Sequence, residues 1–121
     1  MTGSQLLKLA THWWPDGRVV VEVEGDFDAS DGYRVFAEVA QLDLHPGQAL
    51  ELDLKDVTFL DSVGASVLVA SEELAGSRGC TFRISAPSLQ CRAVLELVGL
   101  SRLLPAPDEP VDALPGLLPM T

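Results

Sequence analysis

The alternation of apolar and polar positions between residues 50 and 55 predicts a β-strand. Leu50, Leu52 and Leu54 alternate with charged residues, which is the period of two expected when one face of a strand is buried. A short apolar run follows, and from Asp61 onward the apolar residues recur every three or four positions, as in a helix. A strand therefore passes into a helix here, with Asp61 as the predicted N-cap and Ser62 on the first helical turn.

The same pattern analysis predicts the order strand, strand, helix, strand, helix, strand, helix, with a last short strand at 103–104. The turn sequence at 15–17 joins the first two strands as a hairpin, and helix-linked strands favour parallel pairing in the second half. The predicted fold class is therefore α/β, a mixed sheet with helices packed against it. The predicted strands are 6–14, 18–24, 49–54 and 81–85, and the predicted helices are 33–40, 62–75 and 89–97.

The first and third helices have predicted caps and predicted apolar faces. Asp28 or Ser30 is expected to cap the first helix, and Ser85 or Ser88 the third. Gly99 is placed to end the third helix. The apolar faces are Tyr33, Phe36, Ala37 and Ala40 in the first helix and Leu89, Ala93, Val94 and Leu97 in the third.

Composition changes near residue 105 and divides the chain into a domain, 1–104, and a Pro-rich tail, 105–121. The 121 residues suffice for one core, and 47% of them are apolar, which is typical of a globular protein. The prolines of the tail exclude a long helix and leave either one turn at 108–114 or a loosely held terminus. No apolar run approaches the roughly 20 residues of a membrane span, and no signal-peptide pattern is present, so we expect a cytoplasmic protein without membrane insertion.

The net charge of −10 disfavours nucleic acid and anionic membranes as partners. The acidic residues concentrate in the first half of the chain, where they either steer a basic protein partner or only keep the protein soluble. The two cysteines, Cys80 and Cys91, are expected to be core residues, with a disulfide as the less favoured alternative.

Catalysis is poorly supported by the residues. A serine at a strand-to-helix turn is also found in the nucleophile elbow of α/β-hydrolases, but Leu60 occupies the position of the first glycine of that motif. The only histidines, His12 and His45, precede Ser62 instead of following it. No metal-ligand spacing and no Gly-rich nucleotide-binding motif is present. We therefore expect no catalytic residues, no metal and no cofactor.

Three blocks of the sequence together resemble a known family. They are VEGDFD at 23–28, LDLKDVTFLDSVG at 52–64 and LELVGL at 95–100. Their order and spacing are similar to those of STAS domains of the bacterial anti-sigma-factor antagonist type, and the resemblance runs from about residue 6 to residue 104. The second block is similar to the family's phosphorylation-site block.

The resemblance implies a binding function. Such proteins bind an anti-sigma factor, often itself a serine kinase, and thereby release the sigma factor for transcription. The kinase phosphorylates a serine of the D-S-x-G block, which breaks the complex, and a serine phosphatase reverses the reaction. Carried over to this chain, the phosphoacceptor is Ser62, and the expected partner-binding residues are Asp28, Asp61, Ser62, Val63, Gly64 and Val67.

The chain departs from the family pattern near the serine. Val63 and Ala65 replace a small hydroxyl residue and a leucine that are common in the family, and Ser66 is a possible minor acceptor one turn after Ser62. STAS domains also serve as scaffold subunits of sensory complexes and as components of lipid-transport assemblies. These two interaction roles are the alternatives to sigma-linked switching.

Overall fold

Four strands form one mixed sheet in the computed structural model, which describes residues 6–105. The elements are β1 (Lys8–Trp13), β2 (Arg18–Phe27), α1 (Tyr33–Gln41), β3 (Ala49–Leu60), α2 (Ser62–Ser77), β4 (Thr81–Ile84), α3 (Leu89–Leu97) and a 3₁₀ turn (Ser101–Leu103). The strands lie side by side in chain order. β1 and β2 form the predicted antiparallel hairpin, and β2, β3 and β4 are parallel. The predicted α/β class is therefore confirmed.

One face of the sheet forms the core with the three helices. Its side chains come from alternate positions of the central strands, where every second residue is buried, as period-two patterning requires. Full burial of each such valine or leucine stabilises the fold by about 1.5–3 kcal/mol. The core residues of the two central strands are Val19, Val21, Val23, Leu50, Leu52 and Leu54.

β3 is longer than predicted because two β-bulges change its periodicity. The register with β2 shifts twice, between Glu22 and Glu24 and again between Gly25 and Asp26. Each shift gives β3 an extra residue, so beyond Leu54 the buried positions are three residues apart instead of two. The alternation that marks a strand in the sequence therefore stops at Leu54, although β3 continues to Leu60.

The buried faces of α1 and α3 differ from those predicted. α1 buries Val35 and Val39, and α3 buries Cys91 and Leu95. Tyr33 and Ala37 are exposed in α1, and so are Leu89, Ala93 and Leu97 of the predicted apolar face of α3. Both helices have only nine residues, and the apolar side of α1 is broad enough to include both Tyr33 and Val35, so helical spacing alone does not decide which part of it is buried.

The ends of α3 are capped as predicted. The Ser88 side chain accepts a hydrogen bond from the Cys91 amide. At the other end Gly99 has φ +82°, and the Leu100 amide donates to the Leu95 carbonyl at 2.7 Å, as in a Schellman motif. The predicted strand at 103–104 is wrong, because the chain forms the 3₁₀ turn there. The expectations for 108–114 and for the rest of the tail beyond residue 105 lie outside the described residues.

Both cysteines are buried free thiols, which confirms the expectation that they are core residues. Burial raises the pKa of the Cys91 thiol. The thiol therefore stays protonated at neutral pH and acts as a small apolar group. Within residues 6–105, no helix has both the length and the apolar character needed to cross a membrane.

Candidate functional site

Two helices begin at the same edge of the sheet, beyond the carboxyl ends of β2 and β3. Phe27 and Leu60, the last residues of these parallel strands, are register partners. The loop 28–32 therefore emerges beside Asp61, the single residue that joins β3 to α2. In α/β sheets this edge is the usual place for binding sites, because loops and helix N-termini converge there.

Asp61 holds this edge together through both of its carboxylate oxygens. Oδ1 accepts a hydrogen bond from the Gly64 amide at 3.0 Å, which confirms Asp61 as the N-cap of α2. Oδ2 accepts from the Ala29 amide, also at 3.0 Å. The carboxylate thus connects the start of α2 to the loop that follows β2, and it fixes the relative position of the two segments.

Ser62, the first residue of α2, is exposed, and its hydroxyl makes no hydrogen bond with any other residue in the range 6–105. The neighbouring hydroxyl of Ser66 is engaged, because it donates to the Val63 carbonyl at 2.8 Å. Asp61 satisfies the Gly64 amide, and the Ser62 and Val63 amides are the first-turn donors that a helix cannot satisfy internally. An anion attached to Ser62 would meet a favourable helix N-terminus.

Gly64, one of the expected partner-binding residues, is buried and faces its own chain, so it is not itself accessible to a partner. A Cβ atom at this position would lie 2.3 Å from the Phe27 carbonyl oxygen and 2.5 Å from Leu60 Cδ1. The missing side chain therefore allows α2 to pack against the end of β2. Gly64 contributes to the site by setting the position of Ser62.

Of the two predicted apolar contact residues, Val63 is accessible and Val67 is not. Val63 is 39% exposed, whereas Val67 is 9% exposed and belongs to the core. Val67, although expected to bind a partner, therefore belongs to the inner side of α2, which consists of Gly64, Val67, Leu68 and Ser71.

An apolar groove beside Ser62 was missed by the sequence analysis. It encloses about 400 Å³ between the outer side of α2 and the segment that follows α3. Leu100 forms part of its wall, although in the sequence Leu100 is recognisable only as a residue beyond a helix end. The groove is lined by Ser62, Ala65, Ser66, Val69, Ala70, Glu73, Val98 and Leu100.

The acidic residues before α1 belong to the loop and do not cap the helix. Asp28 Oδ1 accepts from the Ser30 amide at 3.0 Å, and the Asp28 carbonyl accepts from Gly32. Gly32 is the N-cap of α1 and no side chain caps this helix, so the predicted caps Asp28 and Ser30 are both wrong. Asp26 accepts from the Thr58 hydroxyl at 2.8 Å.

The part of the chain that the structure describes has no group of His, Cys, Asp and Glu side chains that could hold a metal ion.

Comparison with known proteins agrees with this architecture. A family model described as "Mlab, STAS domain" matches residues 11–105. The chain belongs to the STAS domain family. This confirms the resemblance seen in the three sequence blocks. No curated protein sequence matches the chain.

Solved structures include several similar chains. An anti-sigma factor antagonist from Mycobacterium paratuberculosis is 28% identical, with a TM-score of 0.73 over 93% of this STAS domain protein and 95% of that chain. The anti-sigma factor antagonist SpoIIAA in its unphosphorylated form is 18% identical, with a TM-score of 0.64 over 93% of this chain and 100% of that one. An antagonist STAS domain from Rhodobacter sphaeroides is 18% identical, with a TM-score of 0.53 over 65% and 85% of the two chains. The last two similarities concern the fold alone.

Proposed function

We propose that this STAS domain protein is an anti-sigma-factor antagonist that binds an anti-sigma factor with serine kinase activity, and that phosphorylation of Ser62 ends the binding. The observation that carries the proposal is the exposed Ser62 hydroxyl at the start of α2, next to an apolar groove. The similarity to the antagonist from Mycobacterium paratuberculosis over almost the whole of both chains supports the same role.

The surface around Ser62 is suited to a switch that acts through charge. Asp61 lies next to Ser62, and its hydrogen bond to Ala29 brings the Asp28 loop close. A phosphate on Ser62 would add about 1.5–2 negative charges to this acidic edge at neutral pH. The helix amides can accept that charge within the folded protein, whereas a partner would have to desolvate it. Phosphorylation therefore changes the interface and leaves the fold intact.

The proposed partner surface consists of Ser62, Val63, the apolar groove, and the acidic residues Asp28 and Asp61. Gly64 and Val67 support this surface from within, since both are buried. Apolar contacts on α2 would supply affinity, and the acidic edge would supply orientation and association rate. On this proposal the protein acts in the cytoplasm by binding, without catalysis or a cofactor, and a separate serine phosphatase restores the active form.

The site assignment is tested by intact-mass analysis after incubation with candidate partner kinases and ATP. The wild-type protein is expected to gain one phosphate, and Ser62→Ala to gain none. Ser66→Ala is the matched control, because it removes a serine hydroxyl one turn further along the same helix. Full phosphorylation of the Ser62→Ala variant would contradict the assignment of Ser62 as the phosphoacceptor.

The acidic edge is tested separately by association kinetics. If Asp28 and Asp61 steer a basic partner, the association rate should fall as salt rises, because exposed charges are screened over about 10 Å at 0.1 M ionic strength. Stopped-flow measurements across a salt series give this dependence. A constant association rate would show that the acidic residues only stabilise or solubilise the protein.

A second candidate role is that of an interaction subunit outside sigma-factor control, in a sensory complex or a lipid-transport assembly. One observation favours it, namely that the matching family model is described by the name Mlab and not as an anti-sigma factor antagonist. Affinity purification of the tagged protein from its own cells separates the two roles. Recovery of a kinase-type anti-sigma factor supports the first role, and recovery of transporter or receptor subunits supports the second.

A further inference from the structure

A second cavity lies at the other end of the molecule, on the sheet face that the helices leave uncovered. It encloses about 320 Å³ near the turn between β1 and β2, whereas Ser62 lies beyond the opposite end of β3. Its size is within the range of sites for small ligands or single side chains. The residues of its lining that carry chemistry are His12, Trp14, Arg18, Glu22, Glu51 and Asp53.

Glu51 is the residue of this cavity that most needs an explanation. Its side chain is only 9% exposed, although the alternation of β3 placed it on the solvated face. Its carboxylate makes no hydrogen bond within residues 6–105. The closest cationic atom, Arg18 Nη1, is 3.9 Å from Oε1, which is too far for a hydrogen bond. The Glu51 carboxylate lines the cavity, so a group that supplies hydrogen-bond donors there would pair with it favourably.

Arg18 is engaged elsewhere. Its Nε donates to Asp16 Oδ2 at 3.1 Å, and its guanidinium lies 4.8 Å from the centroid of the Trp14 ring. Arg83 is the register partner of Glu51 on β4 but does not line the cavity. Arg18 therefore lies at ion-pair distance from Glu51 without a hydrogen bond to it, so the carboxylate can still accept hydrogen bonds from a ligand.

The other lining groups favour a positively charged ligand. Three carboxylates, those of Glu22, Glu51 and Asp53, face one guanidinium, that of Arg18. Asp53 is already paired with Lys55 at 2.7 Å, and this hydrogen bond raises the pKa of Lys55, which therefore stays charged. Glu22 lies 3.4 Å from the His12 imidazole and also interacts electrostatically with Lys55. Trp14 is about half exposed and adds an aromatic wall of the kind that cations bind.

We infer that this cavity binds a guanidinium group, carried either by an arginine side chain of a partner protein or by a free guanidino compound. A guanidinium offers five N–H donors in a planar fork that matches carboxylates and stacks on aromatic rings. Glu51 and Glu22 would accept these donors, and Trp14 would pack against the plane. This inference does not depend on the proposed sigma-related function. The cavity and Ser62 lie at opposite ends of β3, so a guanidinium ligand and a partner that contacts Ser62 could bind at the same time.

The inference is tested by NMR titration of the ¹⁵N-labelled full chain with the peptide acetyl-Gly-Arg-Gly-amide. The same peptide with citrulline in place of arginine is the neutral control ligand, and agmatine is the free guanidino compound. Saturable shifts of the Trp14 indole and of the Ser85 and Ala86 amides with the arginine peptide are expected, and much smaller shifts with citrulline. Saturation by agmatine at equal affinity would identify a small-molecule site, whereas saturation by the peptide alone would identify a protein partner.

The variants Glu51→Gln and Glu24→Gln form a matched pair. Each removes one negative charge from the same sheet face, but only Glu51 lines the cavity. Glu51→Gln should weaken binding by about tenfold or more, as expected for the loss of a charge-assisted hydrogen bond, and Glu24→Gln by less than about twofold. If Glu51→Gln does not fold, the half-exposed Glu22→Gln should still weaken binding by about threefold. Equal shifts with the citrulline peptide, or no saturable shift up to about 10 mM of either guanidinium ligand, would overturn the inference.

Discussion

The two helices that start at the carboxyl edge of the sheet begin in different ways. α1 follows a five-residue loop, 28–32, and begins at Gly32 without a side-chain cap. α2 follows β3 after one residue, Asp61, whose carboxylate caps α2 and also binds the Ala29 amide. The start of α2 is therefore the better fixed of the two, and it is the one that presents Ser62.

This difference is the reason for proposing Ser62, and not the nearby Ser30, as the phosphoacceptor. Ser30 lies in the exposed loop two residues before the N-cap of α1, and its backbone amide donates to Asp28. Ser62 is the first residue of a 16-residue helix, where first-turn amides face an attached anion. A charge added at Ser62 would be held at a defined place on the surface, whereas one added at Ser30 would sit on a loop.

The largest expected effect comes from adding a methyl group behind α2. Gly64→Ala should lower the free energy of unfolding by about 3 kcal/mol, because its Cβ would lie 2.3 Å from the Phe27 carbonyl oxygen and 2.5 Å from Leu60. In Gly32→Ala the added Cβ would lie 2.6 Å from the Asp28 carbonyl oxygen, which belongs to the loop before α1. We expect this loop to adjust, so the free energy of unfolding should fall by only about 1 kcal/mol. Urea denaturation measures both. Equal stability losses would show that the two helix starts are packed alike.

A smaller effect is expected from removing the cap. Asp61→Ala should cost about 1–2 kcal/mol, since it removes the hydrogen bonds to both Gly64 and Ala29. Ser30→Ala, at the position wrongly predicted as a cap, should change stability by no more than about 0.5 kcal/mol. Thermal unfolding of the two variants checks this contrast. A Ser30→Ala loss as large as that of Asp61→Ala would mean that the α1 loop is as tightly organised as the start of α2.

The smallest effect is expected at Ser62, the proposed phosphoacceptor. Ser62→Ala should change the free energy of unfolding by less than about 0.5 kcal/mol, because the hydroxyl is exposed and has no hydrogen-bond partner in the described chain. Ser66→Ala, which removes an exposed hydrogen bond to Val63, serves as the comparison. A loss above about 1 kcal/mol for Ser62→Ala would indicate a structural role for this hydroxyl.

The start of α2 was predictable from the sequence, and the start of α1 was not. Asp61 directly follows an apolar strand end and precedes a long helix, so only one capping residue fits that position. Before α1 there are two capping candidates, Asp28 and Ser30, and the Asp28 carboxylate accepts a local hydrogen bond from the Ser30 amide instead of capping the helix. The N-cap of α1 is Gly32, which has no side chain and so cannot be recognised in the sequence as a capping residue.

The rest of the site depended on tertiary packing. The groove beside Ser62 forms where the segment after α3 meets α2, two regions about 30 residues apart in the chain. The burial of Gly64 and Val67 could not be predicted either, since apolar residues on α2 occur on its inner and outer sides. Two β-bulges hid the second half of β3, because strand periodicity is lost wherever an extra residue enters the ladder.

The most direct test of the proposed switch is the affinity of one anti-sigma factor for the protein with and without phosphate on Ser62. Calorimetric titration should give tight binding for the unmodified protein and for Ser62→Ala. It should give binding weaker by about two orders of magnitude for the Ser62-phosphorylated protein, an effect of roughly 2.7 kcal/mol. Circular dichroism of the phosphorylated protein should match that of the unmodified one. Equal affinity of both forms would contradict the proposal that Ser62 phosphorylation controls partner binding.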